Sequence, residues 1–230
     1  MPALPSHHHA KEPDGSRPRR LGLEEAAAVL AAGGIVIFPT ETLYAIGCRA
    51  DKAGACARLC KLKGRPEGSP LPLLAGDTAQ AARTVRLAVA PPALLALFWP
   101  GPLSLLLPAL AGVAPQARDA GGLSALRVSP HPLAAALAKF AGGALTASSA
   151  NFSGAPPAAR AEDLDPALLA ALAAEGLPAG LLAARAPEEE PRGGAPSTLA
   201  LPLGGNALRL LRRGAVSAEA LTEAGFRVEG

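Results

Sequence analysis

Aromatic residues are nearly missing from this sequence: they make up 3% of its 230 residues, with a single Trp and a single Tyr. Recognition of single-stranded nucleic acid by base stacking needs several exposed rings, so the chain offers no such platform. Its core must be built from Leu, Ala and Val. Excess charge of one sign is also scarce. The formal net charge is +3, of which residues 1–20 carry +2, so a strongly basic nucleic-acid-binding domain is unsupported. Cys48, Cys56 and Cys60 lack paired CxxC spacing, and His7, His8 and His9 sit in a Pro-rich arm with no second ligand pair. Buried or idle thiols of a reducing cytoplasm are the reading, with no protein-held metal. No signal-type run opens the chain and every long apolar stretch is broken by Pro, Gly or charge, which argues against secretion and membrane spanning.

Half of the residues are hydrophobic, enough for a substantial core. After a Pro-, His- and Arg-rich flexible leader over residues 1–20, residues 21–230 read as a single α/β domain. Helical spacing covers 21–32 and stops at Gly33 and Gly34, and the run 35–38 follows as a buried strand. Further helices are expected over 52–62, 78–88, 91–98 and 132–140, and from Pro166, with Asp165 as N-cap, to about 175. A last helix is capped by Ser217. Strands are expected over 71–74, 103–107, 125–128, 199–201 and 208–211, while 145–147 leads into a loop of small residues. Irregular alternation with many Pro and Gly between elements favours an open, mixed parallel and antiparallel sheet with flanking helices. Residues 186–196 read as an exposed loop.

Three polar clusters interrupt the apolar chain: Pro39 to Tyr44, Lys61 to Pro66, and Ser148 to Gly154. Each lies where a strand ends or a loop begins, the usual place for ligand-binding groups in α/β folds. Lys63 and Arg65 flank a glycine on what reads as an exposed loop, a pattern that suits phosphate or carboxylate. A solvated basic loop with ordinary turns fits the same residues equally well. No Walker A spacing and no GxGxxG occur. Ser149 and His131 could in principle form a hydrolase pair, but Ser149 lacks the GxSxG elbow and His131, before Pro132, reads as a helix-entry cap. Glu41 could be a base or a solvated side chain and receives no role.

These clusters closely resemble the YrdC-like family, matched in order from Leu23 to Gly214. GGIVIFPTETLY from Gly33 to Tyr44 resembles the opening strand and loop of the family. Lys63-Gly64-Arg65-Pro66 is similar to the KxR element, and Trp99 to Ser104 to the PGPxT element. Leu126-Arg127-Val128 resembles the arginine strand, Ser149-Ala150-Asn151 the SxN element, Ser197-Thr198 the ST element and Arg212-Arg213-Gly214 the terminal RxG. The resemblance is to the single-domain form, without the extra C-terminal domain of longer relatives. It implies an open twisted sheet whose concave face binds nucleotide. It also implies a nucleotidyltransferase that makes threonylcarbamoyl-AMP and pyrophosphate from L-threonine, bicarbonate or carbon dioxide, and ATP, for tRNA threonylcarbamoyladenosine (t6A) modification.

By the same resemblance Lys63, Arg65, Ser149 and Arg212 bind ATP, Asn151 completes the catalytic set of Lys63, Arg65 and Ser149, and Thr40, Arg127 and Ser197 surround threonine. Mg2+ is expected with ATP, held by phosphate oxygens and water. The expected partners are these substrates, tRNA and the proteins that transfer the threonylcarbamoyl group. A non-catalytic paralogue of the same fold binding double-stranded RNA or tRNA is the rival reading. The sequence departs from the family pattern at Ala45, Ser69 and Ser104, and lacks the usual Asp-Gly-Gly near residues 183–187, where it reads AARAPEEE from residue 183.

Overall fold

The computed structural model describes residues 18–175 and 178–230. Most of the expected leader therefore lies outside the described residues; of its last residues, Arg20 forms a bridge with Leu181.

The first half of the chain alternates α1 (Leu23–Ala31), β1 (Ile35–Pro39), β2 (Tyr44–Gly47), α2 (Ala53–Lys63), β3 (Leu73–Ala75), α3 (Thr78–Ala82) and α4 (Pro92–Phe98). The second half runs β4 (Leu103–Pro108), β5 (Leu123–Val128), α5 (Pro132–Phe140), β6 (Leu145–Thr146), β7 (Ser148–Ser149), α6 (Pro166–Ala174), β8 (Ala179–Leu181), β9 (Thr198–Gly204), β10 (Ala207–Arg212), α7 (Ala218–Glu223) and β11 (Arg227–Glu229).

Capping chemistry sets several helix starts. Asp165 accepts from Ala167 N at 2.8 Å ahead of Pro166, and Ser217 accepts from Ala220 N at 3.1 Å. The Asp77 carboxylate takes Gln80 N at 2.7 Å. The helix expected over 78–88 ends early. Residues 84–86 instead exchange backbone hydrogen bonds with 108–110, so a tertiary pairing displaces the last helical turns.

Strands form two mixed sheets, in the orders β7-β2-β1-β8 and β11-β10-β9-β4-β5-β3-β6. β1 is buried on both faces: Ile35 and Ile37 pack into one cluster with Leu59 and Leu73, and Val36 and Phe38 into another with α1 and α5. Its unbroken apolar run reflects that double burial. β2, β7, β8 and β11 were not expected from sequence. β2 begins only at the last residue of the polar motif, β7 falls in the expected small-residue loop, β8 contains Ala and Gly, and β11 has three residues, so partners rather than propensity hold them extended.

The two sheets meet at one seam. Thr146 N donates to Cys48 O at 2.8 Å, Cys48 N donates to Thr146 Oγ1 at 2.9 Å, and Arg49 bridges Leu145. Gly47 permits this approach, since a Cβ there would lie 1.8 Å from the Thr146 carbonyl oxygen. Backbone on both sides leaves nothing flexible to yield. Gly47→Ala is expected to destabilise the protein by about 3 kcal/mol or more, measured as a lowered urea midpoint; an unchanged midpoint would mean the seam can open without cost.

Candidate functional site

The angle between the sheets holds a recess of about 160 Å³. Thr40 and Thr42 reach it from the β1–β2 turn, Ser149 from β7, Arg127 from β5, Ser197 from the entry to β9, and Arg212 from the end of β10, with Arg65 at its edge. Six of the eight residues singled out in the sequence line this one space: Thr40, Arg65, Arg127, Ser149, Ser197 and Arg212. Lys63 and Asn151 stand behind it.

Lys63 corrects the sequence reading. It is the last residue of α2 and only 3% exposed, not part of an exposed loop. Gly64, at φ 59° and ψ 36°, adopts the left-handed conformation that ends the helix and sends Arg65 elsewhere. The Lys63 ammonium donates to the carbonyls of Ser149 and Asn151, and so fixes the loop that carries the SxN residues. Burial, together with the nearby Arg65 charge, lowers its pKa to about 8. Arg65 is half-buried and donates to Ser69 O and Pro70 O at 2.7 Å each, with a 3.3 Å contact to Ser148 Oγ. Asn151 Nδ2 donates to Ala155 O, while its buried Oδ1 has no partner among the described residues.

Three adjacent strands build the opposite wall. Arg212 donates from Nε and Nη2 to Ser197 O at 3.1 and 2.8 Å, and from Nη2 to Ser197 Oγ at 3.1 Å. Ser197 Oγ lies 2.9 Å from Ser104 Oγ on β4, so Ser104 keeps the hydroxyl of the PGPxT element in use. Arg212 reaches this wall because β10 bulges against β9 between Leu210 and Arg212, which turns the arginine onto the Ser197 face. Burial, then the charges of Arg127 and Arg65, push the Arg212 pKa down. Several guanidinium groups therefore share the recess, and a bound anion would relieve their repulsion.

Thr40 is already engaged: its hydroxyl donates to Leu43 O at 2.7 Å and accepts long contacts from Leu43 N at 3.3 Å and Thr42 N at 3.4 Å. One acidic and one hydroxyl partner were not anticipated. Glu41 Oε1 accepts from Arg127 Nε at 2.6 Å and its Oε2 accepts from Ser129 Oγ at 2.6 Å. Burial raises the Glu41 pKa, but Arg127 and the Ser129 hydroxyl outweigh it and hold the carboxylate below its ordinary range. A glutamate between threonines in a turn motif and a serine two residues after the arginine were the available signals. His131 caps α5 as expected, its Nδ1 accepting from Ala134 N, and shares no hydrogen bond with Ser149 among the described residues.

Residues 183–190, in place of the missing Asp-Gly-Gly, still abut the site. Ala184 N donates to the Tyr44 hydroxyl at 3.1 Å, and burial with the nearby Glu190 pushes the tyrosine pKa up to about 12. Residues 186–196 include a short turn at Pro187–Glu189 and a buried Pro191, so they are only partly the open loop expected. Cys48 and Cys56 are buried with their sulfurs 3.6 Å apart. Among the described residues no helix is long and apolar enough to cross a membrane.

Residues 28–214 match a family model described as telomere recombination, the Sua5/YciO/YrdC model. A threonylcarbamoyl-AMP synthase from Stenotrophomonas maltophilia (strain K279a) is 39% identical over 157 residues, which cover 67% of this chain and 84% of the relative. Another, from Halorhodospira halophila, is 42% identical over 147 residues, covering 64% and 76%. Among solved structures, P. abyssi Sua5 complexed with L-threonine is 28% identical with a TM-score of 0.72; the similarity covers 90% of this chain and 58% of that one, so this chain spans less than two thirds of its length. E. coli YciO, at 17% identity and a TM-score of 0.68 over 89% of this chain and 96% of that one, shares the fold.

The buried Lys63 sets a stability expectation. Lys63→Met keeps the apolar stem but leaves two carbonyls without their donor, at a cost of about 1–3 kcal/mol for each group left buried and unpaired. Urea unfolding should show that loss. A variant as stable as the parent would mean that the 149–151 loop does not depend on the ammonium.

Proposed function

The chain belongs to the Sua5/YciO/YrdC family, with residues 28–214 matched, and on that premise we propose that it is a threonylcarbamoyl-AMP synthase. The observation that carries this reading is the convergence of Thr40, Arg127, Ser197, Arg65, Ser149 and Arg212 on one recess of about 160 Å³. That volume is below the roughly 300–1,000 Å³ of pockets for drug-sized ligands. It suits a small amino acid, with a nucleotide lying across the open mouth.

In this reading the Arg127 guanidinium receives the threonine carboxylate, and Ser197 with Thr40 meets its hydroxyl and amine. Threonine's amine captures carbon dioxide and releases a proton. A carbamate oxygen then forms the new bond to the α-phosphorus as the bond to pyrophosphate breaks. Such a displacement needs alignment and charge neutralisation more than a protein nucleophile. Arg65 and Arg212 supply positive charge, and Ser149 a hydroxyl. Lys63 contributes first by holding the SxN loop, and Asn151 offers its unpaired Oδ1. The cations and hydroxyls of the recess suit phosphate oxygens, so Mg2+ would arrive with ATP and be held by those oxygens and water. The adenylate would pass to the proteins that modify tRNA.

Incubation with threonine, bicarbonate, ATP and Mg2+ should release pyrophosphate. Valine, the near-isostere lacking the hydroxyl, should be poorer by on the order of 10⁴-fold, because the site's polar groups are left unpaired. Serine should fall between, losing a methyl worth about 1–3 kcal/mol. Equal use of valine would sink the pocket assignment.

A pH dependence follows from Lys63. Its free-state pKa is lowered to about 8, and a phosphate ligand favours the charged form. ATP affinity should thus be flat below pH 8 and fall above it by up to tenfold per unit as binding begins to require proton uptake. Calorimetry from pH 7 to 9.5 measures this, and Lys63→Arg should remove the decline.

A further inference from the structure

The proposed amino-acid subsite depends on the aim of one side chain. Arg127 sits on β5 in the larger sheet, and a free guanidinium can offer either its Nε edge or its Nη end to a carboxylate. Here the Nε edge is already taken. Glu41, from the β1–β2 turn of the smaller sheet, accepts that proton at 2.6 Å, with the two side chains 9% and 6% exposed. The second oxygen of Glu41 is held by Ser129 Oγ at 2.6 Å, and Ser129 Oγ accepts in turn from His131 N at 3.2 Å. His131 Nε2 is 2.8 Å from Glu189 O, which anchors the network in the segment that replaces the Asp-Gly-Gly. Neither Nη of Arg127 has a hydrogen bond among the described residues, although Arg127 lines the recess.

We propose that Glu41 is a positioning residue for substrate selection: it occupies the Nε edge of Arg127 so that only the two-pronged Nη end faces the recess and takes the carboxylate of an α-amino acid. The inference rests on the synthase reading above and deepens it. A general-base role does not fit, because both Glu41 oxygens are committed and Glu41 does not line the recess. A purely electrostatic role makes the opposite forecast. Glu41 offsets the charge of Arg127, so if charge alone mattered, removing Glu41 would strengthen carboxylate binding.

The test is calorimetric titration of the full chain with L-threonine, alongside steady-state pyrophosphate release. Glu41→Ala should weaken threonine binding at least tenfold and raise the threonine KM to match, with kcat and the ATP KM within about twofold of the parent. Glu41→Gln retains an acceptor for Nε and should fall between; it also decides the matter if Glu41→Ala does not fold. Because Glu41 acts through Arg127, adding Glu41→Ala to an Arg127→Met background should change threonine affinity less than twofold. Unchanged or tighter threonine binding in the Glu41 variants overturns the inference alone, as does an equal loss in the Arg127→Met background. A parent protein that binds no threonine overturns the synthase reading and takes this inference with it.

Discussion

The contact on which this architecture turns is the crossing of backbone at Gly47 and Cys48 over Thr146. Two sheets that share no long edge are joined there by short hydrogen bonds that use both the main chain and the threonine hydroxyl. Close approach of two peptide planes leaves no room for a side chain. The recess is the angle that this seam creates. Thr40 comes to it from one sheet, Arg127, Ser197 and Arg212 from the other, and Ser149 from β7, three residues beyond the seam. A change in the angle would separate groups contributed by distant segments, even with every strand intact.

Charge in the site is arranged by burial and pairing more than by number. Glu41 offsets Arg127 at the amino-acid end, while Arg65 and Arg212 have no carboxylate within ion-pair distance among the described residues. That contrast divides the recess into a directed hydrogen-bonding end and an electropositive end. The division suits a zwitterionic amino acid beside a polyphosphate. Lys63 adds a third element, a buried cation whose hydrogen bonds shape the backbone that carries Ser149 and Asn151. Buried ammonium groups are costly unless satisfied, and here two carbonyls satisfy it.

The sequence revealed the helices most clearly where a cap and a proline coincide. Asp165 before Pro166 and His131 before Pro132 start helices in the structure as expected, because side-chain acceptors and a fixed φ act locally. The helix over 78–88 was misread because Thr84 to Arg86 find partners in residues 108–110, a contact no local pattern encodes. Tyr44 to Gly47 is extended only because β1 and β7 flank it. At the site, ordered motifs located six lining residues, since each is tied to its own short pattern. The environment of Lys63 and the partner of Glu41 stayed hidden: one depends on a loop 86 residues away, the other on a strand equally distant.

The bulge in β10 gives the length of that strand a meaning beyond its composition. Leu208 and Leu210 pair with Pro202 and Ala200, whereas Arg212, one residue out of step, pairs with Leu199. Side chains alternate between the faces of a strand, so the extra residue decides which face Arg212 occupies. One residue inserted between Leu211 and Arg212, with the bulge kept, would leave every motif residue in the chain and carry the arginine to the side of Leu208 and Leu210. In a set of aligned relatives such an insertion would look conservative, with RxG intact, yet it would remove a cation from the recess as surely as substituting Arg212 itself. Spacing between motifs is therefore as informative as their letters, and a relative with an altered count between the ST and RxG elements should be read as altered at the site.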